Sequence, residues 1–540
     1  MLRDKLRQTI ANAAGVDISE VQLEHPNLEA FGDYSTNIAI KNKLDAKAIA
    51  SRIPGATVAG PGFINITLTS DNLLNLMSTA CDLRDVGHGQ TVIVEYSSPN
   101  IAKHFGIGHL RSTIIGQALY NLHKAIGYTV VGDNHLGDWG TQFGKLLYMI
   151  DKYSIDDYDI DKLEEIYIEF HKLAENDKTL EDEARKWFKK LEDGETWTRE
   201  IWQKCIQISM REFDRIYDLL EVKIDHAYGE SFYEDKMQEI IKLAKEKVAM
   251  QSEGAWIIET GHESPLMLLK SDGGTTYATR DLATVLYRMK EFDPVKIIYE
   301  VGADQILYFA QLFVASRKMR LISDKVELVH IWHGLYLAPN GRKFSTRGGN
   351  TVKLDEILKE AIDRAKSLGC ADEATAKSVG IGAVKYFDLL HGIQSNIVFD
   401  WDKILALQGN SGPYLQYTYA RTQSVLIKSE IRNPKSETSF EIRNSKFEFN
   451  SEELAILRHI YKFPEVVEEA AGRYSPNLLC NFIYELAQRY NTFYNMHSIL
   501  GAEAQSGKGS KEFRLQLTAS VGEVLKKGLN LLGISAPEKM

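Results

Sequence analysis

The segment that most constrains the fold runs from Val94 to Ser112 and reads VEYSSPNIAKHFGIGHLRS. It begins at the end of an apolar stretch, TVIVEY, that is typical of a buried β-strand, and continues through a loop rich in Ser, Pro, Asn and Gly. The loop leads into an amphipathic helix with His109 and Arg111 in its first turn. A helix N-terminus offers unpaired N–H donors and partial positive charge, so this arrangement predicts a binding site for a nucleoside triphosphate.

A parallel sheet with helices on both faces is the architecture that the neighbouring pattern predicts. The stretch at 91–96, a helix from about His109 to Ile126 and the apolar segment YTVVGD form a strand–helix–strand unit, the building block of such sheets. The highly charged residues 151–250 have helical periodicity and predict a helical subdomain inserted into the α/β domain, with most charges on solvated faces. Further strands are predicted at AWIIE, KIIYEVG and VELVHIW, and further helices at DQILYFAQLFVASRKM and VKLDEILKEAIDRAKSLG.

Three domains are expected, because 540 residues are too many for one hydrophobic core. Residues 1–85 mix helical and strand patterns and predict a small α+β domain, with a polar linker at 83–90. Residues 86–408 carry the α/β pattern, and residues 409–540 have the long apolar periodicity of helices. The imperfect polar repeat EIRNPKSE and EIRNSKFE, within 430–450, predicts a surface loop.

Composition narrows the class of protein without naming a function. The chain is 44% hydrophobic and 26% charged, as globular proteins are, and no apolar run reaches the length of a membrane span. The N-terminal residues MLRDKLRQTIANAAG lack the apolar core of a signal peptide. The four cysteines lie far apart without a CxxC pair, which argues against a zinc site or a disulfide scaffold and fits a reducing cytoplasm. A net charge of −10 leaves a nucleic-acid partner open, because a local basic groove can bind phosphates on an acidic protein.

Five motifs that follow one another along the chain resemble arginyl-tRNA synthetases of class I: SSPNIAK, GHLRSTIIG, DNHLGDWGTQFGKL, YATRDLA and KFSTRGG. The segment FGDYSTNIAI resembles the N-terminal added domain of that family, which binds tRNA. The segments GPYLQYTYAR, FIYELAQRYNTFYN and LLGISAPEKM resemble its helical anticodon-binding domain. The resemblance covers most of the chain and implies a Rossmann-like catalytic domain at 86–408 between these two domains.

The reaction that this resemblance implies is the ligation of arginine to tRNA. L-Arginine would be activated by ATP to arginyl-adenylate and transferred to the 3′ end of tRNA(Arg), with release of pyrophosphate and AMP. The implied partners are tRNA(Arg), L-arginine and ATP, with Mg²⁺ bound to the ATP. A cytoplasmic monomer without a structural metal and without membrane attachment is expected.

Two loops would bind ATP. The sequence Gly106-Ile107-Gly108-His109 resembles the HIGH signature, with Gly106 in place of the first histidine. The resemblance assigns Gly106, Gly108 and His109 to ATP binding and implies that Gly108 lets the nucleotide approach the backbone and that His109 donates a hydrogen bond to it. At Gly106, one phosphate contact of the signature is missing or replaced. From the residues alone, a tight turn with a helix cap is the alternative.

The second ATP loop, KFSTR, resembles the KMSKS signature and contains Lys343, Ser345 and Arg347, with Thr346 in place of the second lysine. In the family, a lysine just before the HIGH loop takes over that role, and Lys103 occupies this position. From the residues alone, the alternative is that NGRKFSTRGG forms a solvated basic turn. The resemblance assigns Lys343 and Ser345 to ATP binding, with the catalytic groups Lys103, His109, Lys343 and Arg347.

Recognition of arginine calls for carboxylates, because the guanidinium group is a planar fork of donors. The resemblance implies that Glu95 and Asn100 hold the α-amino or backbone end of the substrate and that His135 lies near them. Tyr277 and Asp281, one helical turn apart, would meet the guanidinium. The alternatives are core packing for Tyr277 and a helix N-terminal carboxylate for Asp281. The implied set of arginine-binding residues is Glu95, Asn100, His135, Tyr277, Asp281 and Gln305.

Three rival functions stay open at this point. The chain could be a class I synthetase for another amino acid, although YATRD and SSPNIAK disfavour that. It could be a non-catalytic tRNA-binding protein descended from a synthetase, given the changes at Gly106 and Thr346. It could also be a nucleotidyltransferase that acts on small molecules, although such an enzyme has no need of the long helical C-terminal region.

Overall fold

The computed structural model of the protein describes residues 2–338, 340–341, 353–370, 372–429, 449–500 and 510–540. These residues form two compact units. The first unit draws on residues 1–84, 421–466 and 482–527, and the second on residues 85–420, 467–481 and 528–540.

Short strands and longer helices alternate through the described part of the chain. The strands are β1 (Tyr34–Thr36), β2 (Ala56–Ala59), β3 (Phe63–Ile66), β4 (Thr91–Glu95), β5 (Thr129–Asp133), β6 (Ala249–Ser252), β7 (Ala255–Ile258), β8 (Leu266–Leu269), β9 (Lys296–Gly302), β10 (Glu327–His333), β11 (Tyr336–Leu337) and β12 (Ile397–Val398). The helices up to β8 are α1 (Leu2–Ala14), α2 (Ile38–Lys41), α3 (Ala46–Ala50), α4 (Ser70–Ser78), α5 (Ile107–Ala125), α6 (Thr141–Lys152), α7 (Ile160–Asn176), α8 (Thr179–Glu192), α9 (Thr196–Leu220) and α10 (Met237–Lys247). The helices after β8 are α11 (Tyr277–Phe292), α12 (Ile306–Lys318), α13 (Leu354–Ser367), α14 (Glu373–Leu389), α15 (Trp401–Ile404), α16 (Gly412–Lys428), α17 (Ser451–Ile460), α18 (Phe463–Gly472), α19 (Pro476–Met496) and α20 (Ser510–Leu531).

A four-stranded parallel sheet forms the centre of the second unit, in the order β10–β9–β4–β5. Its strands occupy the segments TVIVEY, YTVVGD, KIIYEVG and VELVHIW, which the sequence predicts as strands. The middle of β4 is fully buried, as expected of a strand covered on both faces. Because parallel strands end at the same edge of a sheet, the loops after β4, β5, β9 and β10 gather there, where ligands bind in open α/β sheets.

The predicted strand AWIIE lies outside the parallel sheet. It forms β7, the middle strand of a separate antiparallel sheet with β6 and β8. The two residues between β6 and β7, Glu253 and Gly254, have φ angles of 49° and 82°. Two consecutive left-handed residues favour a tight two-residue hairpin, which pairs β7 with its neighbour in sequence.

Helices α7 to α10 account for the charged segment that the sequence predicts as a helical insertion. Helix α6 packs closely against α8, and α7 and α9 also contact α6. Buried residues of α7, such as Leu163, Ile166 and Phe170, recur at three- and four-residue spacing, so one stripe of the helix is covered and its charged face is solvated.

In the first unit, the three-stranded antiparallel sheet β1–β3–β2 packs with helices from both ends of the chain. Glu465 of α18 is buried and accepts hydrogen bonds from Arg3 (3.1 Å), His25 (3.1 Å) and Tyr34 (2.6 Å). Burial would raise the pKa of this carboxyl, but His25, Tyr34 and Arg3 together lower it below its usual value. The ionised carboxylate therefore joins the N-terminal α+β segment to a C-terminal helix within this unit.

Close packing beside β4 generates a stability prediction. A Cβ atom on Gly116, in the middle of α5, would lie 2.2 Å from the Cβ of Tyr96, the residue that follows β4. Gly116→Ala should therefore force a backbone shift and lower the free energy of unfolding by about 1–3 kcal/mol. Urea denaturation followed by fluorescence would measure it.

The matched control is Gly472→Ala, at the end of α18, where a Cβ meets no heavy atom within 4 Å. It should leave stability unchanged or raise it by at most about 1 kcal/mol. Equal losses in the two variants would contradict the packing argument.

Candidate functional site

A cavity of about 530 Å³ opens at the carboxyl edge of the parallel sheet. The loops after β4 and β5, the first turns of α11 and the junction between β9 and α12 all contribute to its wall. The residues that the sequence assigns to arginine come from four separate stretches of chain, and the structure brings all of them to this cavity: Glu95, Asn100, His135, Tyr277, Asp281 and Gln305.

The loop between β4 and α5 is held in an unfavourable backbone conformation. Ser97, Ser98 and Ala102 have φ angles of 75°, 45° and 64°, in the left-handed region that costs non-glycine residues of order 1–3 kcal/mol each. Hydrogen bonds from the neighbouring loop oppose this cost: the N–H of Ser98 donates to the side chain of Asn134 at 3.0 Å. Strain of this kind concentrates at binding sites, where the fold fixes the backbone in advance.

Asn100 is positioned by the loop that follows β5. The N–H of Ile101 donates to the carbonyl of Gly137 at 3.2 Å, and the N–H of Gly137 donates to the carbonyl of Pro99 at 3.2 Å. A Cβ on Gly137 would lie 2.2 Å from Oδ1 of Asn100, so only glycine permits this approach. The motifs SSPN and NHLG are therefore paired across two loops.

Glu95, the last residue of β4, is ion-paired from behind the cavity. Its Oε2 lies 2.6 Å from Nη2 of Arg288 in α11, and the same nitrogen lies 2.7 Å from Oδ2 of Asp133 at the end of β5. Arg288 is fully buried. Burial disfavours its charge, but the two carboxylates outweigh burial and hold the pKa of the guanidinium above its usual value.

Asp281 shares its two oxygens between two neighbours. Tyr308 of α12 donates its hydroxyl hydrogen to Oδ2 of Asp281. Nε2 of His135 lies 3.5 Å from Oδ1, an ion-pair distance. Burial would lower the pKa of His135, but Asp281 and Glu95 overcome it and raise this pKa to about 9. The imidazolium is therefore the main form of His135 at neutral pH.

Tyr277 is the first residue of α11 and is 59% exposed, so the core-packing alternative for this residue is wrong. Thr276 caps the helix, and its N–H donates to the hydroxyl of Thr279 at 3.3 Å. The ring of Tyr277 lies edge-on to that of Tyr308, with centroids 4.8 Å apart. Asp281 is one turn further into the helix, where its side chain faces the cavity rather than capping the first turn.

Sequence reasoning missed several polar side chains of the cavity wall, among them Glu230, Asp304 and Tyr308. Glu230 begins a 3-10 segment after the helical insertion, and its carboxylate lies 3.4 Å from Nε of Arg280. Burial is the main cause that raises the pKa of Glu230. No motif marks this glutamate within a highly charged region. Asp304, by contrast, directly precedes the predicted Gln305, so its position in the sequence could have identified it as a residue of the same site.

The predicted ATP loop forms the N-terminus of α5. The helix begins at Ile107, two residues before the predicted start, because Gly106 is extended and its N–H donates to Nδ1 of His109 at 3.2 Å. Burial, together with the nearby positive charges of Lys103 and His333, lowers the pKa of His109 to about 4. The ring is thus neutral, and with Nδ1 acting as acceptor its hydrogen is on Nε2. Gly108 is exposed, with no heavy atom within 4 Å of a Cβ placed there.

Lys103 and His104 face the helical insertion. Nζ of Lys103 lies 4.4 Å from the ring centre of Tyr167 in α7, and burial lowers the pKa of this lysine. Nε2 of His104 lies 2.8 Å from Asp161, also in α7. His104 is therefore held by a partner of its own beside the loop. The other predicted ATP residues, Lys343, Ser345 and Arg347, lie outside the described residues, as do Thr346 and the polar repeat at 430–448.

In the part of the chain that the structure describes, no three or more His, Cys, Asp or Glu side chains are grouped so that they could hold a metal ion. No helix in the same residues is both long and apolar enough to cross a membrane.

Family comparisons match the chain from end to end. The family model described as tRNA synthetases class I (R), catalytic domain, matches residues 72–401. The DALR anticodon binding domain matches residues 415–540, and the arginyl tRNA synthetase N terminal domain matches residues 1–68.

Individual relatives agree with these matches. The arginine–tRNA ligase of Chloroflexus aggregans is 39% identical, over 97% of this chain and 96% of its own length. That of Clostridium botulinum is 37% identical over the whole of both chains. The arginyl-tRNA synthetase structure from Plasmodium falciparum has a TM-score of 0.84 and 25% identity over 100% of this chain and 98% of its own. That from Thermus thermophilus has the same fold, with a TM-score of 0.84 and 23% identity over all of both chains. The chain belongs to the arginyl-tRNA synthetase family.

Proposed function

We propose that this arginine–tRNA ligase binds L-arginine in the cavity at the sheet edge, with the α-amino end at Glu95 and Asn100 and the guanidinium at Tyr277 and Asp281. The observation that carries this proposal is the convergence of the six assigned residues on one cavity. Four carboxylates line that cavity, which suits a ligand with a cation at each end. These are Glu95, Glu230, Asp281 and Asp304.

The orientation of the substrate follows from the position of the nucleotide. The carboxylate of arginine must reach the α-phosphate, and the predicted nucleotide site is the N-terminus of α5. Glu95 and Asn100 belong to the strand and loop that lead directly into α5, whereas Asp281 belongs to α11. The reacting end of arginine therefore lies at the first pair and the side chain extends toward Asp281.

Rejection of lysine follows from the shape of the donor group. An ammonium is a compact charge and cannot occupy the acceptors that a planar guanidinium bridges. Each buried acceptor left without a partner costs about 1–3 kcal/mol. A site that binds its substrate through hydrogen bonds can discriminate by roughly 10⁴ or more without editing.

Adenylate formation at this site needs positioning and positive charge rather than a general base. The substrate carboxylate is ionised at neutral pH and attacks the α-phosphorus as pyrophosphate leaves. The neutral His109 would donate from Nε2 to the nucleotide, and the N-terminus of α5 would add its partial positive charge. Lys103, Lys343 and Arg347 are the further cations that we assign to the phosphates. Mg²⁺ would enter with ATP, bound by phosphate oxygens and water.

The remaining assignments concern the whole enzyme. We propose a cytoplasmic monomer with an N-terminal domain at 1–85, a catalytic domain at 86–408 and an anticodon-binding domain at 409–540. The first and last of these would bind tRNA(Arg), and the terminal adenosine of the tRNA would accept the arginyl group from the adenylate, with release of AMP.

Aminoacylation tests the function. With ATP, radiolabelled arginine and total tRNA, we expect label in acid-insoluble tRNA, and pyrophosphate exchange only when tRNA is present. Strong exchange without tRNA would indicate another synthetase or a small-molecule nucleotidyltransferase, and no label at all would indicate a non-catalytic tRNA-binding protein. Light scattering of the same preparation should give the 61.0 kDa of one chain, and twice that mass would contradict the monomer.

Asp281→Asn tests the arginine site. Loss of the charged acceptor should weaken arginine binding by about 10- to 100-fold, the range for hydrogen bonds to charged groups, while ATP binding is preserved. Calorimetric titration with each ligand would measure both. The matched control is Asp293→Asn at the exposed C-terminus of the same helix, which should bind arginine normally. Normal arginine affinity in Asp281→Asn would refute the assignment.

The role of His109 can be tested with two amide side chains, each of which keeps a hydrogen-bonding group near the position of one ring nitrogen. His109→Asn places an acceptor near the position of Nδ1 and keeps the contact with Gly106, but it lacks the Nε2 donor. It should reduce kcat by about 10²- to 10³-fold, as loss of a transition-state donor does. His109→Gln keeps a donor near the position of Nε2 and should be less impaired. The opposite order in steady-state kinetics would show that His109 acts only as a helix cap.

A further inference from the structure

We propose that Arg288 is a positioning residue for the amino-acid substrate, because it holds the Glu95 carboxylate in place to receive the α-ammonium group. This inference rests on the proposed function, since it requires arginine in the cavity with its α-amino end at Glu95. Arg288 itself is not part of the cavity wall, so its effect on the substrate passes through Glu95.

The geometry places Arg288 directly behind that wall. Its side chain is fully buried, and Nη2 lies 2.6 Å from Oε2 of Glu95. Nη2 and Nε lie 2.7 and 3.1 Å from Oδ2 of Asp133. The guanidinium carbon is 5.5 Å from the ring centre of Tyr299, which also lines the cavity. One oxygen of Glu95 is thus fixed from behind by Arg288.

Charge gives Arg288 a second effect on Glu95. Glu95 and Asp133 are register partners on the adjacent parallel strands β4 and β5, and both side chains are buried. Two carboxylates that share a buried site repel each other. Arg288 lies between them and contacts both, so its positive charge offsets this repulsion beside the oxygen that would bind an ammonium group.

A contribution to the stability of the fold is a weak explanation for the cluster of Arg288, Glu95 and Asp133. Nη1 of Arg288 and Oδ1 of Asp133 are buried, and neither has a hydrogen-bond partner among the described residues. A buried ion set with unpaired atoms is often no more stable than packed apolar side chains of similar size. What the cluster does accomplish is to hold the Glu95 side chain at a fixed point of the cavity wall.

If Arg288 acts through Glu95, its removal should affect the binding of only one end of the ligand. Without Arg288, the affinity for the α-ammonium group should fall, while the guanidinium end and ATP are unaffected. Calorimetric titration of the full chain with L-arginine, with 5-guanidinopentanoate (arginine without its α-amino group) and with ATP separates these effects. Arg288→Met should weaken L-arginine binding by about 10- to 100-fold, the effect typical when an outer partner of a binding group is lost. It should leave the other two ligands unchanged.

Three further variants make the test specific. Glu95→Gln should show the same selective loss, and the double variant Arg288→Met/Glu95→Gln should lose no more than either single variant, because both act on one contact. Asp133→Asn removes a carboxylate from the same cluster but keeps the pair of Arg288 with Glu95, so its affinity for L-arginine should stay near wild type. Arg288→Lys keeps the charge and should recover part of the loss. If Arg288→Met does not fold, this lysine variant carries the comparison of the two guanidino ligands.

The outcomes separate the inference from the proposed function. Equal losses for L-arginine and 5-guanidinopentanoate, additive losses in the double variant, or no loss in Arg288→Met would each overturn the role of Arg288. The cavity assignment would still stand if Asp281→Asn lost affinity for both guanidino ligands. Wild-type affinity for L-arginine in both Asp281→Asn and Glu95→Gln would overturn the proposed function itself.

Discussion

The buried guanidinium of Arg288 is the interaction on which the position of the Glu95 carboxylate in the cavity wall depends. It joins α11 to the ends of β4 and β5 through Glu95 and Asp133. Removing one member of a buried ion pair leaves an uncompensated charge and typically costs about 3–5 kcal/mol. These ion pairs therefore hold the Glu95 carboxylate at a fixed point at the carboxyl edge of the sheet.

The loop from β4 to α5 connects Glu95 to the N-terminus of α5, where we propose that the nucleotide binds. Three residues in left-handed conformation raise its energy, and hydrogen bonds with the loop after β5 offset that cost. Where the family signature has its first histidine, Gly106 offers only a backbone N–H, and His109 accepts from it. One ring nitrogen of His109 thus fixes the start of the helix, which leaves the other free to act on a ligand.

Sequence reasoning reached the parallel sheet and the six cavity residues because each of these had a local signal. The strands are apolar runs, and Glu95, Asn100, His135, Tyr277, Asp281 and Gln305 belong to motifs that can be read within a few residues. The antiparallel placement of AWIIE has no such signal, since its partners β6 and β8 are only four residues long and β6 pairs with it through a two-residue hairpin.

Two of the residues that were missed, Arg288 and Tyr308, act on partners that are distant in the sequence. Arg288 lies 155 positions from Asp133 in the chain, and its burial is invisible until helix and sheet are packed together. Tyr308 is likewise a helical aromatic whose hydroxyl has a function only because α12 places it beside Asp281. Hydrophobic periodicity predicts that such residues lie on a buried or half-buried face of a helix, but it does not predict which side chain they contact.

Each end of the cavity has a carboxylate that a buried or half-buried group orients: Arg288 holds Glu95, and Tyr308 holds Asp281. Because both carboxylates are fixed, the distance between them is fixed as well, and the cavity selects the length of a ligand in addition to its charge. His135 lies close enough to both carboxylates for each to raise its pKa, so part of their negative charge is already balanced at neutral pH. A ligand with one cation can satisfy only one end of such a site. Arginine, with an ammonium at one end and a planar guanidinium at the other, matches both ends.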